Sequence, residues 1–505
     1  MWDCLWDTLL LRFYIMNNHH RLLAFLVLIL NTVYLIWLSF HVTGLMGVIF
    51  LFAELLIGSL ALLFIFNHSE QDHVVLTQTP ARGSLDIFIP IVDEPLSLFK
   101  GTLEAALEID YQNKRVYILD DGAREEISKL AKGVGAVYLS RGHRLHSKAG
   151  NLNFALSQSQ GEYVLVLDAD QVPDSRIASH LLGHFSEDPR LAVIVTRQSF
   201  NVPEGDFNHD PLFYEHMQTG KNDNNAAVSC GSGVFYRRTA LNEVGGFQTW
   251  NVVEDVYTTY VLHSKGFRSL YVNQPYSRGT APQDLPTIFK QRGTWALDTL
   301  RLFFHRLLIF GNKLTFRQWI HYFEFGWCYI TSAIAIPILS IFPGLALITG
   351  DYFITEPESY VVLRLISLLP TLYFYYLLGG RNSSSSQFWA ALFPVYLKAL
   401  ILSLFTGKPT YKVTKKFNDP KRSDIIFIFP HLSLIVFNVG AIIFRITVSD
   451  FVFTPFILIN LIWVATLFFW FAPILRKGLF LERVPVSPLT EESLYLESKS
   501  SVLKN

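Results

Sequence analysis

Asp168-Ala169-Asp170 directly follows the apolar run 163–167, so two carboxylates share a turn where a strand would end. Hard oxygen donors placed this way suit Mg²⁺ or Mn²⁺, the usual escort of a diphosphate. The competing reading is a surface turn, in which Asp is favoured for its bonds to nearby backbone. The run 115–119 ends likewise in Asp120-Asp121-Gly122, and 85–90 leads to Asp93-Glu94. Three acidic strand ends repel one another unless a cation or donor satisfies them. A metal together with a nucleotide base bearing N–H donors would do so.

Between these turns lies His146-Ser147-Lys148-Ala149-Gly150-Asn151-Leu152-Asn153. A Lys beside a Gly at a helix start brings an ammonium and backbone N–H groups onto a phosphate. The plainer alternative is a helix cap followed by a solvated Lys. Further on come Cys230-Gly231-Ser232-Gly233, Gly245-Gly246-Phe247 and Glu254-Asp255. An isolated Glu-Asp pair is usually a solvated helix face. Near Gln291-Arg292-Gly293-Thr294-Trp295, whose Trp suits stacking on a sugar ring, it becomes a candidate general base. Tyr411-Lys412-Val413-Thr414-Lys415-Lys416 also reads as a basic patch drawn to anionic lipid.

These residues need elements to hold them. The short β-branched runs 85–90, 115–119, 163–167 and 191–196 alternate with helix-like stretches 96–109, 123–132 and 152–159. Alternating strands and helices imply an α/β domain with a mostly parallel sheet. Ligands bind outside the carboxyl ends of such strands, where the acidic turns lie.

Apolar runs flank this domain at 22–40 and 44–66, then at 323–348, 360–378, 425–446 and 453–474. Each is near the ~20 residues that span a bilayer as a helix, and the first two lack the short apolar core and cleavage site of a signal peptide. The shorter 388–404, carrying Lys398, reads as a helix lying in the interface. Segment 379–424 holds eight basic residues, whereas 350–359 holds none but has Asp351, Glu356 and Glu358. The basic segment therefore faces the cytosol, as do the α/β domain and both termini. The expected organisation is an N-terminal pair of spans (1–66), a cytosolic domain ending in an interface helix (67–316), two spans (317–379), a cytosolic interface helix and loop (380–424), two spans (425–475) and a short tail (476–505).

Composition agrees. Of 505 residues only 17% are charged, 15% are aromatic, and 42 basic residues balance 42 acidic ones. These values exclude a disordered chain, a disulfide scaffold and an ordinary cytosolic enzyme, and no basic footprint points to nucleic acid. Cys4, Cys230 and Cys328 have no zinc-ligand spacing.

In order and spacing, DDG, DAD, HSKAGNLN, CGSG, GGF, VED and QRGTW resemble the membrane-embedded processive family 2 glycosyltransferases, the cellulose synthase and hyaluronan synthase superfamily. The resemblance covers roughly 67–416 and includes YKVTKK, which is similar to the family's FxVTxK gating loop. It implies a GT-A-type domain embedded in about six spans, with Mg²⁺ or Mn²⁺ as cofactor. It also implies a UDP-sugar donor, a glycan acceptor and membrane lipids as partners, at a bacterial plasma membrane. Asp93, Glu94, Asp120 and Asp121 would meet the nucleotide, with the uracil at Asp120, and Lys148 would join them. Asp168 and Asp170 would hold nucleotide and metal. Asp255 would be the catalytic base, with Glu254 beside it. Trp295 would floor the acceptor site with Gln291 nearby, Cys230 would lie near the acceptor, and Tyr411, Thr414 and Lys416 would close over the nucleotide.

The chain departs from the family in four places. TED is Val253-Glu254-Asp255, and QxxRW has Thr294 where Arg is usual, so diphosphate contact falls to Arg292 or Lys416. Gln171 follows DAD where His is common in cellulose synthases, and the first strand ends in Ile91-Val92-Asp93-Glu94. The expectation is a divergent inverting synthase that transfers glucose from UDP-glucose to a β-linked glycan and exports it through its own channel. The alternatives are a transferase acting on a lipid carrier and a non-catalytic nucleotide-binding scaffold.

Overall fold

The computed structural model describes residues 18–68, 74, 76–203, 205–251, 253–282, 284–308, 313–351, 353–405, 425–448 and 455–479. Tyr411, Thr414 and Lys416 lie outside these residues, as does the tail beyond 479.

One eight-stranded sheet organises the α/β domain. Its strands are β1 (Leu85–Ile91), β2 (Lys114–Asp120), β3 (Val137–Leu139), β4 (Tyr163–Val166), β5 (Val172–Pro173), β6 (Leu191–Phe200), β7 (Val234–Arg237) and β8 (Arg268–Gly279), in the order β3-β2-β1-β4-β7-β6-β8-β5. Alternation along the strands explains why both faces are covered. Leu85, Ile87, Ile89 and Ile91 of β1 join one core with Val116, Ile118 and Leu165, while Phe88 joins the other with Tyr117, Val164 and Val166. Strands apolar on both faces belong in a covered sheet.

The parallel expectation holds for β3-β2-β1-β4 but not for the whole sheet. β7 runs antiparallel to both β4 and β6, and β5 antiparallel to β8, while β6 and β8 are parallel. The sheet is therefore mixed. In its parallel half Ile91 is in register with Asp120 and Phe88 with Val166, so the ends of β2, β1 and β4 emerge side by side. Helices α3 (Leu96–Glu108), α4 (Glu125–Val134) and α5 (Ser147–Ser157) connect this half. Then α6 (Asp255–Ser264) and α7 (Leu285–Leu302) lead toward the membrane region.

Six helices among the described residues are long and apolar enough to cross a membrane. They correspond to α1 (Asn18–His41), α2 (Gly44–Asn67), α8 (Phe316–Thr349), α9 (Pro357–Leu378), α12 (Ile425–Val448) and α13 (Pro455–Leu479), and make this a multi-pass membrane protein. Thr315 starts α8 with a capping box, its hydroxyl accepting from Gln318 N at 3.2 Å while Gln318 Oε1 accepts from Thr315 N at 2.9 Å. At the far end two connections are stapled together. Thr43 N donates to Phe353 O and Thr355 N to His41 O, both at 2.8 Å, flanking a bridge between Val42 and Ile354.

The single interface helix expected over 388–404 is instead two, α10 (Ser384–Ala391) and α11 (Phe393–Ser403), bent by 53°. Pro394 stands in the first turn of α11, where its missing N–H costs nothing and it favours a new start over continuation.

Candidate active site

The site forms where the parallel strand ends meet the 230–233 loop and the head of α6. Lys148, in the first turn of α5, donates from Nζ to Asp168 Oδ1 at 2.7 Å and to Gly231 O at 2.8 Å. It also pairs with Glu254 Oε1 at 3.3 Å. Burial alone would lower its proton affinity, but Asp168, Glu254 and Asp255 together hold Lys148 firmly protonated. One ammonium thus gathers carboxylates from β4 and from the VED turn.

Asp255 opens α6 and accepts from Val256 N at 2.6 Å. Burial, then the charge of Glu254, pushes its carboxyl up to about 8, against the lowering pull of Lys148. A β-carbon on Gly231, where φ is +85°, would stand 3.0 Å from Asp255 Oδ2. The glycine is therefore required twice, by backbone conformation and by proximity. The Val253 N–H donates to Asp298 Oδ2 at 2.5 Å, fastening the turn to α7.

Asp170 is 3% exposed and accepts from the Thr280 hydroxyl of the β8 end, whereas the Asp168 side chain is 39% exposed. The Asp168 backbone N–H donates to Ser232 Oγ at 2.9 Å. Gln171 is buried against β8, where Gly279 leaves room for its amide. Among the described residues no three His, Cys, Asp or Glu side chains cluster as a metal site. Two neighbouring carboxylates nevertheless fit Mg²⁺ or Mn²⁺, because such ions are commonly bound by one or two protein carboxylates plus substrate phosphates.

The third corner is more self-contained. Asp120 is fully buried: Oδ1 accepts from Gly122 N and Oδ2 from Arg124 N, both at 2.7 Å, with the Tyr138 hydroxyl at 3.0 Å. Asp121 receives a two-pronged bond from Arg141, at 2.6 and 2.7 Å. Arg144 Nε donates to Asp121 O at 2.6 Å, and Arg124 Nη1 to Glu94 O at 2.7 Å. Glu94 accepts from Val92 N at 2.7 Å and is raised by burial, while Asp93 is exposed. These three arginines were not among the candidates singled out in the sequence; the signal for two of them was there in Ser140-Arg141-Gly142-His143-Arg144, just before the Lys148 motif.

Arg292 and Trp295 share one face of α7 and point elsewhere. The guanidinium lies 4.7 Å over the Trp295 ring and 5.3 Å over Phe207, and pairs with Asp210 at 3.9 Å. It makes no contact with Asp168 or Asp170. The Thr294 hydroxyl turns back onto Lys290 O at 2.9 Å. Gln291 is half-buried on the same helix and lines no part of the cavity described next. The Cys230 thiol, raised by burial and by Asp255, accepts from Gln218 Nε2 at 3.5 Å.

Asp255, Cys230, Arg292, Trp295 and Asp298 open onto one cavity of about 550 Å³. It continues past Phe64 and Ile57 of α2, Tyr375 and Arg364 of α9 and Trp463 of α13. A half-buried carboxyl group of raised proton affinity thus lines a largely apolar, aromatic cavity, beside an acidic and cationic cluster suited to a phosphorylated ligand.

The chain is similar to known proteins over much of this region. Residues 86–245 match the glycosyl transferase family 2 model and 219–390 the cellulose synthase model. The cellulose synthase 1 catalytic subunit [UDP-forming] of Komagataeibacter xylinus is 35% identical over 276 residues, 52% of this chain and 37% of that one. The cellulose synthase catalytic subunit [UDP-forming] of Pseudomonas fluorescens is 33% identical over 298 residues, 57% of this chain and 38% of that one. The chain thus matches under two fifths of the length of these relatives. Among solved structures, the mannosyltransferase PcManGT from Pyrobaculum calidifontis, in complex with GDP-Man and Mn²⁺, superposes at 14% identity. Its TM-score is 0.48, over 76% of this chain and 99% of that one, below what fixes a shared fold.

Proposed function

We propose that the chain, a divergent relative of the cellulose synthases and other family 2 glycosyltransferases, extends a neutral β-linked glycan from UDP-glucose. The observation that carries the proposal is Asp255, half-buried and proton-hungry on the wall of a cavity that runs among the membrane helices. The acceptor hydroxyl oxygen attacks the anomeric carbon while the bond from that carbon to the UDP oxygen breaks, and UDP leaves with the electron pair. Asp255 takes the hydroxyl proton. A single displacement converts an α-linked donor into a β-linked product with no covalent enzyme intermediate.

Asp168 and Asp170 would hold Mg²⁺ or Mn²⁺, which supplies positive charge to the departing diphosphate. Lys148 adds its own cation at the same place, and the 93–94 and 120–122 turns with their arginines frame the nucleoside end. Trp295 offers a flat face for the acceptor sugar, and Tyr411, Thr414 and Lys416 would close over the nucleotide from the cytosolic side.

The charges of the cavity favour a neutral polymer. Its described lining holds four carboxyl groups (Asp210, Asp255, Asp298 and Glu324) against two guanidinium groups, Arg292 and Arg364. Burial raises the proton affinity of Asp255 and Asp210, so the ionised lining carries little net charge, which suits a neutral chain. An elongated apolar passage also favours polymer export over transfer to a lipid carrier. Such export would run from a cytosolic active site across a bacterial plasma membrane.

The test is synthesis by purified protein in nanodiscs, with Mg²⁺ or Mn²⁺ and a panel of UDP-sugars, products being sized and digested with linkage-specific glycosidases. Long product from UDP-glucose, lowered about 10²–10⁴-fold in Asp255→Asn, is expected. Short organic-soluble product, or an unchanged rate in that variant, would overturn the proposal.

A further inference from the structure

Beyond the catalytic end, the spans enclose an ion pair that sugar transfer does not use. Glu54 on α2 is 2% exposed and Arg364 on α9 is 6% exposed, with Oε1 and Nη2 3.2 Å apart. Charges kept inside a membrane region are costly and mark a path or a moving part. The Tyr34 ring lies 5.2 Å from the guanidinium and the Trp463 ring 5.7 Å, so the cation is held between two aromatic rings. Even so, Arg364 Nε is buried with no acceptor among the described residues. At 1.5 Å per residue from the outer ends of α2 and α9, the pair sits roughly 10–15 Å below the outer surface.

Its position relative to the cavities is the second observation. Arg364, Trp463, Leu339 and Pro343 line the large cavity and also a smaller one of about 70 Å³. The smaller one is walled further by Glu54, Phe50, Ile354 and Tyr360, toward the stapled outer loops. These four shared side chains are therefore the partition between two adjoining spaces. An occupant of the large cavity moving outward meets this partition next.

We propose that Arg364 and Trp463, latched by Glu54, form the closed outer gate of the passage, a gate that rests on the export reading above and whose key is a neutral sugar unit. The chemistry fits that key. A purely apolar plug would leave sugar hydroxyls without partners at the moment of passage. A guanidinium and a carboxylate instead exchange their mutual bond for bonds to hydroxyls, with Nε as the first donor on offer. Trp463 then presents its ring to the flat C–H face of the sugar. With no glycan present the two charges satisfy each other and the partition seals.

The experiment uses the full chain in proteoliposomes loaded with chloride, with no sugar donor present. Glu54→Gln/Arg364→Met removes both charges together, avoiding the uncompensated charge that either single change would bury. Trp463→Ala, with the pair intact, thins the same partition by loss of bulk. Each variant must be monodisperse and melt within a few degrees of wild type; either one alone suffices if the other misfolds. Chloride efflux at least tenfold above wild type is expected from both. Efflux equal to wild type, with lumenal polymer accumulating at the wild-type rate, would overturn the gate and leave the export reading standing. Leaky variants of a protein that makes no polymer from any donor would show a closed partition at this place but sink the export reading, and with it the sugar as key.

Discussion

Lys148 touches Asp168, Gly231 and Glu254 at once, so its removal acts on charge as well as on ligand binding. Lys148→Met leaves three neighbouring carboxylates without their cation. The rate should fall at least 100-fold, and the pH profile of the residual activity should move to higher pH as Asp255 becomes harder to ionise. An unmoved profile would confine Lys148 to phosphate contact. The same residue scale sets a stability prediction. The folded state raises the Asp255 carboxyl above its unfolded value of about 3.9. It therefore binds a proton that the unfolded chain has released, and stability is lost as pH rises from that value through the folded one. Asp255→Asn removes the effect. Its melting temperature should exceed that of wild type at pH 8 by a few degrees, with the gap closing toward pH 5.

At the scale of elements, the acidic strand ends were legible because alternation and apolar runs identify β1, β2 and β4, and parallel register puts their ends together. The antiparallel half was not legible: β7 has only four residues and follows a glycine-rich loop, leaving no period to read. Asp120 shows the limit of reading chemistry from residue type alone. Its carboxylate closes the turn it sits on, a habit of Asp two residues before a Gly, and the Arg141–Asp121 bond needed the fold to be seen. The charges of Glu54 and Arg364 were passed over inside runs read only for length. The 230–233 loop offers a clean test. In Gly231→Ala the new methyl group crowds Asp255 at a backbone conformation Ala disfavours. Displacement of the base by a fraction of an ångström to 1 Å should cost about 10²-fold in rate, measured as UDP release, while protein yield changes little. Full activity would show that the loop yields and that Gly231 does not set the base.

For the whole molecule, one cavity joins Asp255 to the membrane helices, so on the proposed function product length should depend on what that cavity admits. Thr371 of α9 lines the cavity well away from Asp255, between Tyr375 and Arg364 along the helix. Thr371→Trp should leave release of UDP during the first transfers near wild type but stop the chain short, visible as a shift from long to short glycan on sizing gels. Product of unaltered length would mean the glycan does not follow this route. The six spans and the α/β domain were legible from hydropathy and loop charge; the passage was not, because it depends on which aromatic faces turn inward.

The backbone staple at the outer end has a mechanical consequence. With Val42 bridged to Ile354, and hydrogen bonds on either side, the α1–α2 and α8–α9 hairpins are tied into one frame. Among the described residues of the partition, Trp463 on α13 is the one that lies outside that frame. On the proposed export route, widening at this partition would fall to α13, moving against the frame like a one-sided door. Lateral pressure in the outer leaflet would then load the door, and glycan output should slow in bilayers of higher acyl-chain packing even at saturating donor.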